Sequence, residues 1–200
     1  MGELLKGKTD GFGLLLLEDQ SSLLDEMTDC AESAGFVVYP ARSLERALIH
    51  LRDHKDNIDA AIVDVMVPAE EVGVRRLDEE LNKRETIIVK ATDHGENLRL
   101  DVRALISLRE GLTAQDYRIA KVVDSVGGIT LLSHLEKEFG SIFLQKRLVV
   151  ASARDPDGDD VVAAKNRLLQ CTQLAWELKP LSPSRLDTLL ESLITEIQRA

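Results

Sequence analysis

The chain has 200 residues, of which 44% are apolar, 30% charged and only 4% aromatic, so its core must be built from Leu, Val, Ile and Ala. A formal net charge of −10 argues against a general nucleic-acid-binding face, which needs a basic surface. No apolar run approaches a membrane span of roughly 18 residues, no signal-peptide pattern opens the chain, and Cys30 and Cys171 are too few for a disulfide framework or zinc site; a cytoplasmic protein without nucleic-acid or membrane partners is expected.

Residues 13–17 form a short continuous apolar run, as in a buried strand. Ser21 or Ser22 can cap the helix that follows, which runs to about Ala34 and stops at Gly35. Phe36-Val37-Val38-Tyr39 is a second strand. Ser43 then precedes Leu44, Ala47, Leu48 and Leu51, whose three- and four-residue spacing marks the buried face of a helix. Residues 58–63 give a third strand. This β-α-β-α-β order predicts a parallel sheet with helices on its faces.

From about Ala69 to Ser125 the rhythm breaks. A charged run from Arg75 to Arg84, expected as an exposed helix face, leads into a β-like Thr86-Ile87-Ile88-Val89. Strict alternation over residues 98–102 and a helical stretch from about Thr113 to Asp124 complete an expected inserted α+β subdomain. The rhythm then resumes, with a helix over 129–139, a strand over 147–151, a helix over 159–171, a strand over 174–178 and a last helix over 184–198, capped by Ser184.

Four apolar runs end in polar residues: Glu18-Asp19, Asp64, Ser152 and Lys179-Pro180. In a parallel sheet these ends share the edge at which open α/β folds bind ligands. Three carboxylates, a hydroxyl and a lysine make a set suited to Mg²⁺ and phosphoryl chemistry.

In this order the residues resemble the receiver domain of two-component response regulators. The acidic pair after the first strand, Asp64 followed four residues later by Pro68, Ser152-Ala153 after the fourth strand, and Lys179-Pro180 with Trp176 three residues before the lysine all match that pattern. The resemblance implies a flavodoxin-like α/β fold, a doubly wound five-stranded parallel sheet in the order 2-1-3-4-5. It covers residues 10–68 and 127–200 as the two parts of the receiver, with 69–126 inserted in the loop after Asp64. Gly127-Gly128 resembles the start of the family's third helix, displaced by about 60 residues. In a rival register, Ile87 to Thr92 is the fourth strand and the extra material comes later.

By the same resemblance, Glu18, Asp19, Asp64 and the Met66 carbonyl hold Mg²⁺, and Asp64 accepts the phosphoryl group. Lys179 and Ser152 contact that group, and Ser152 with Trp176 forms a switch. The apolar Met66 side chain implies slow autodephosphorylation. The implied activity is self-phosphorylation and autodephosphorylation, with no turnover of a separate substrate. The implied partners are a histidine kinase or phosphotransfer protein and a downstream protein reached through residues 69–126, and a homodimer is compatible with this role. The alternative is a pseudo-receiver, a protein-interaction scaffold in which Asp64 and Lys179 form a structural ion pair. A related Mg²⁺-dependent phosphatase is disfavoured, because Met66 stands where such enzymes carry a second aspartate.

Other motifs lack the context that their chemistry needs. Residues 2–9 match the phosphate-loop expression, but only Met1 precedes them and a strand follows. His50 and His54 lie four apart beside Arg52 and Lys55, a pattern read as a solvated face rather than a metal site. The acidic run over 155–160 lacks the glycine and final glutamate of a calcium loop. His94 and His134 are expected at the surface.

Overall fold

A computed structural model describes residues 11–96, 102–122, 127–153, 162 and 175–199. The strands are β1 (Phe12–Leu17), β2 (Phe36–Ala41), β3 (Ala60–Val63), β4 (Leu148–Ser152) and β5 (Ala175–Leu178). They form one parallel sheet in the order β2-β1-β3-β4-β5. The helices are α1 (Ser21–Ser33), α2 (Leu44–His54), α3 (Glu71–Glu96), α4 (Val102–Val122), α5 (Gly127–Phe139), α6 (Ser141–Lys146) and α7 (Pro183–Gln198). The phosphate-loop expression at 2–9, the alternating residues 98–101, the acidic run 155–160, most of the expected helix 159–171 and Cys171 lie outside the described residues.

The sheet is central because its inner strands are apolar on both faces. Leu15 and Leu17 join α2 and α5 in one cluster, with Ala47, Leu51, Leu131, Leu132 and Leu135. Leu14 and Leu16 point the other way and pack with Leu24 and Met27 of α1 and Leu186 and Leu190 of α7. A strand covered on both faces cannot alternate polar and apolar residues, which is why Leu14 to Leu17 reads as an unbroken run.

Local signals set the element ends. Gly35 takes a left-handed φ of 94° after α1, and Ser43 Oγ accepts the Arg46 N–H at 3.1 Å to cap α2. Two expected caps differ. Helix α1 begins at Ser21 after Gln20, with no side-chain cap bond. Helix α7 is capped by Ser182, not Ser184, because Pro183 supplies the first helical φ and Ser182 Oγ accepts from Arg185 N–H at 3.2 Å.

The sheet uses residues 148–152 as its fourth strand, so the register through Ile87 to Thr92 is excluded. Thr86 to Val89, read as β-like, lies inside α3. The expected α+β content of 69–126 is therefore corrected: the secondary-structure elements among its described residues are α3 and α4 alone. Val74, Leu77, Leu81 and Ile88 follow a helical spacing that overrides the local β-branched run. The two helices pair antiparallel, with Gln115 Nε2 donating to the Glu80 carbonyl at 2.8 Å and Arg84 bound to Asp116 at 2.7 Å.

His50 also departs from expectation. It is buried, its Nε2 lies 3.0 Å from the Pro40 carbonyl oxygen, and Tyr39 stacks on His54 beside it. Arg52 and Lys55 occupy the outer face of the same segment, which masked this in the sequence. His134 is exposed, as expected.

Candidate functional site

Parallel pairing brings the carboxyl ends of β1, β3, β4 and β5 to one edge. The Asp64 N–H donates to the Leu17 carbonyl at 2.8 Å, and the Lys179 N–H to the Ser152 carbonyl at 3.0 Å. With the β3–β4 pairing of Val63 to Val150, these bonds hold the four strand ends in register. The Lys179-Pro180 peptide is cis.

On this edge Glu18, Asp19, Asp64 and Ser152 are all buried, with exposures of 1, 9, 6 and 0%. Asp64 Oδ1 accepts the Ser152 hydroxyl at 2.8 Å and the Met66 N–H at 3.1 Å. Its Oδ2 pairs with Lys179 Nζ at 2.5 Å, and the same ammonium binds Glu18 Oε2. Glu18 Oε1 accepts the Gln20 N–H at 3.2 Å. Residues 18, 19, 64, 152 and 179 thus converge. Met66 contributes its backbone here, while its half-buried side chain packs toward the α2–α5 cluster. Trp176, also half-buried, packs on that same side of the sheet.

The electrostatics follow from three carboxylates and one ammonium out of water. Desolvation, then the charges of Glu18 and Asp64, push the Asp19 carboxyl up to about 7. Desolvation also raises Glu18, against the pull of Lys179. Burial opposes the Lys179 charge, but Asp64 and Glu18 outweigh it and hold its pKa above the usual lysine value. One ammonium therefore leaves the three acids under-compensated.

One oxygen from each of Glu18, Asp19 and Asp64 lies within 4.8 Å of the others, so a single ion can touch all three. An all-oxygen, anionic donor set suits a hard divalent cation such as Mg²⁺, and the raised Asp19 shows how poorly the cluster tolerates its own charge. The residues fit that ion.

The helix beneath the site is α5. The Gly128 N–H donates to the Val65 carbonyl at 3.0 Å, and a Cβ on Gly128 would fall 1.8 Å from the Asp64 carbonyl oxygen. Only glycine permits this approach of helix to strand end.

The sequence reading missed Arg42. Its Nε and Nη2 donate to the Asp19 carbonyl oxygen at 2.9 and 2.6 Å, while Nη1 and Nη2 grip the Asp78 carboxylate of α3 at 3.0 and 2.6 Å. A signal existed: Arg42 directly follows β2 and so stands on the same strand-end edge.

No protein-family model matches the chain, and no curated protein matches it in sequence. Solved structures do match. A CheY-like response regulator receiver domain protein from Methanospirillum hungatei JF-1 aligns over 94% of this chain and 98% of its own, with TM-score 0.53 and 13% identity. The fold is that of a response-regulator receiver domain. The signal receiver domain of an HD domain-containing protein from Pseudomonas fluorescens Pf-5 aligns at TM-score 0.53 and 14% identity, over 95% of this chain and 99% of its own. The chemotaxis response regulator CheY4 of Vibrio cholerae gives 0.51 and 14%, over 92% and 98%. At these identities the receiver likeness establishes the sheet order and the layering. No helix among the described residues is long and apolar enough to cross a membrane.

Proposed function

We propose that the chain is a receiver-type signalling module that accepts a phosphoryl group on Asp64 and passes its state on through protein contacts. The observation that carries this reading is the clustering on one strand-end edge of a buried aspartate, hydrogen-bonded by Ser152 and paired with Lys179, with two further acids in reach of one cation.

In this reading Glu18, Asp19, Asp64 and the Met66 carbonyl hold Mg²⁺, which supplies charge neutralisation for the incoming phosphoryl oxygens. Asp64 forms the new O–P bond. The P–N bond of a phosphohistidine, or the P–O bond of a small acyl phosphate, breaks, and its electron pair leaves with the donor. Catalysis of such transfer is chiefly positioning and charge stabilisation. Ser152 and Lys179, which bind the two Asp64 oxygens now, turn their donors to the phosphoryl oxygens afterwards. Movement of Ser152 frees space behind β4, and Trp176 on β5 responds.

Residues 69–126 are an insertion in this scheme. The chain leaves at Pro68 and returns at Gly127-Gly128 to place α5 under Asp64. The α3–α4 hairpin exposes Val89, Ile106 and Tyr117 by 50, 52 and 63%, which favours it as a partner surface. The upstream partner is a histidine kinase or phosphotransfer protein, and the role is a cytoplasmic one.

The test is intact-mass measurement after incubation with Mg²⁺ and acetyl phosphate. A phosphoryl adduct on the wild type and none on Asp64→Ala supports the reading. No adduct with several donors favours the scaffold alternative, in which the Asp64–Lys179–Glu18 ion pairs are structural.

A further inference from the structure

We propose that Arg42 is a positioning residue for the acidic site, holding the Asp19 segment in place for cation binding through a clamp anchored on Asp78 of the α3–α4 hairpin. The inference rests on the cation-binding role just proposed for Glu18, Asp19 and Asp64.

Asp19 sits on the turn between β1 and α1, where backbone freedom would let its carboxylate swing away. Arg42 removes that freedom. Its guanidinium makes two hydrogen bonds to the Asp19 carbonyl oxygen, and its opposite edge is held by both oxygens of Asp78. The planar fork of arginine suits this two-sided grip, which a lysine cannot reproduce. The Arg42 side chain is only 22% exposed, and charges of Asp78, Asp19 and Glu71 all favour its protonated form.

The anchor is itself fixed. The N-terminus of α3 is tied to that of α2: Ser43 Oγ donates to Glu71 Oε1 at 2.6 Å, and the Glu71 N–H donates to Glu45 Oε2 at 3.0 Å. The Leu44 and Glu45 N–H groups donate to the Pro68 and Ala69 carbonyls at 2.9 Å each. Asp78 therefore stands on a helix held to the receiver body beside the site. A residue in the hairpin thus sets the geometry of the acidic site.

Mn²⁺ binding to the full chain, followed by electron paramagnetic resonance, tests this, because charge and positioning predict opposite signs. Removing the Arg42 charge beside an anionic pocket would, by electrostatics alone, tighten cation binding. Loss of positioning loosens it. Arg42→Gln is expected to weaken Mn²⁺ binding about tenfold, the lower end of what outer contacts to ligand residues contribute. Arg42→Lys should remain weakened although its charge is kept. Asp78→Asn should weaken binding by a smaller factor, and the double variant should be no worse than Arg42→Gln, since both remove one clamp. Arg52→Gln, which deletes an exposed charge on α2 away from the site, should change nothing. Arg42→Gln binding as tightly as the wild type, or tighter, overturns the proposal. Should Arg42→Gln fail to fold, unchanged affinity in Asp78→Asn overturns it instead. A wild type that binds no Mn²⁺ sinks the functional reading as well, which separates the two failures.

Discussion

Replacing Asp19 by Asn should stabilise the cation-free protein, and by an amount that depends on pH. The unfolded Asp19 titrates near 3.8 and the folded one near 7. Between these values the folded chain holds a proton that the unfolded chain has lost, so this contribution to stability is full below pH 3.8, falls as pH rises from there to about 7, and is gone above it. A shift of about three units at 1.36 kcal/mol each gives a loss on the order of 4 kcal/mol at pH 8. Asn is uncharged and can donate to Glu18 as the protonated Asp19 carboxyl does, so the hydrogen bond survives while the titration disappears. Its backbone carbonyl still receives Arg42. Glu18, whose pKa is also raised, slopes the same way, whereas His50, lowered mainly by burial, slopes the opposite way. His50 is unchanged in the variant and cancels, so the difference between the two proteins reports the titration of Asp19 together with its hydrogen-bonded neighbour Glu18. Urea unfolding in EDTA at pH 5 and pH 8 measures it. Only the span from pH 5 to about 7 contributes, so the wild type should lose about 2–3 kcal/mol more than Asp19→Asn between these two conditions. A variant no more stable than the wild type at pH 8 would refute the argument that the buried acids are under-compensated.

Other substitutions probe the scaffold around the site. Gly128→Ala drives a methyl into the Asp64 carbonyl, so it should abolish phosphoryl uptake, read by intact mass, even where circular dichroism shows a folded chain. Leu190→Ala, at a fully buried position of α7, should cost about 2–5 kcal/mol in denaturant unfolding without altering the site. Ser182→Ala removes the α7 cap and should cost about 1 kcal/mol by the same measurement, whereas Ser184→Ala should cost less.

The sheet was legible because its inner strands are buried on both faces: Leu14 to Leu17 and Ala60 to Val63 leave no other place for so many adjacent apolar side chains. The polar residues at their ends were legible for the same reason, since a parallel sheet collects such ends on one edge. The hairpin was harder. Thr86 to Val89 has the composition of a strand, and only the longer three- and four-residue spacing through Val74, Leu77 and Leu81, completed by α4, makes it helical. His50 was misjudged because its charged neighbours lie on the opposite side of the helix. Arg42 escaped because its partners are a backbone carbonyl 23 residues away and a carboxylate 36 residues away, and neither leaves a local pattern.

The central claim is that Asp64 carries the phosphoryl group. Its most direct test is fragment mass spectrometry of the full chain after treatment with acetyl phosphate, once with Mg²⁺ and once with EDTA. The account predicts a phosphoryl group on the peptide containing Asp64, present with Mg²⁺ and lost with EDTA. An adduct at another residue, or an unmodified Asp64 peptide from folded, Mg²⁺-loaded protein, would contradict it.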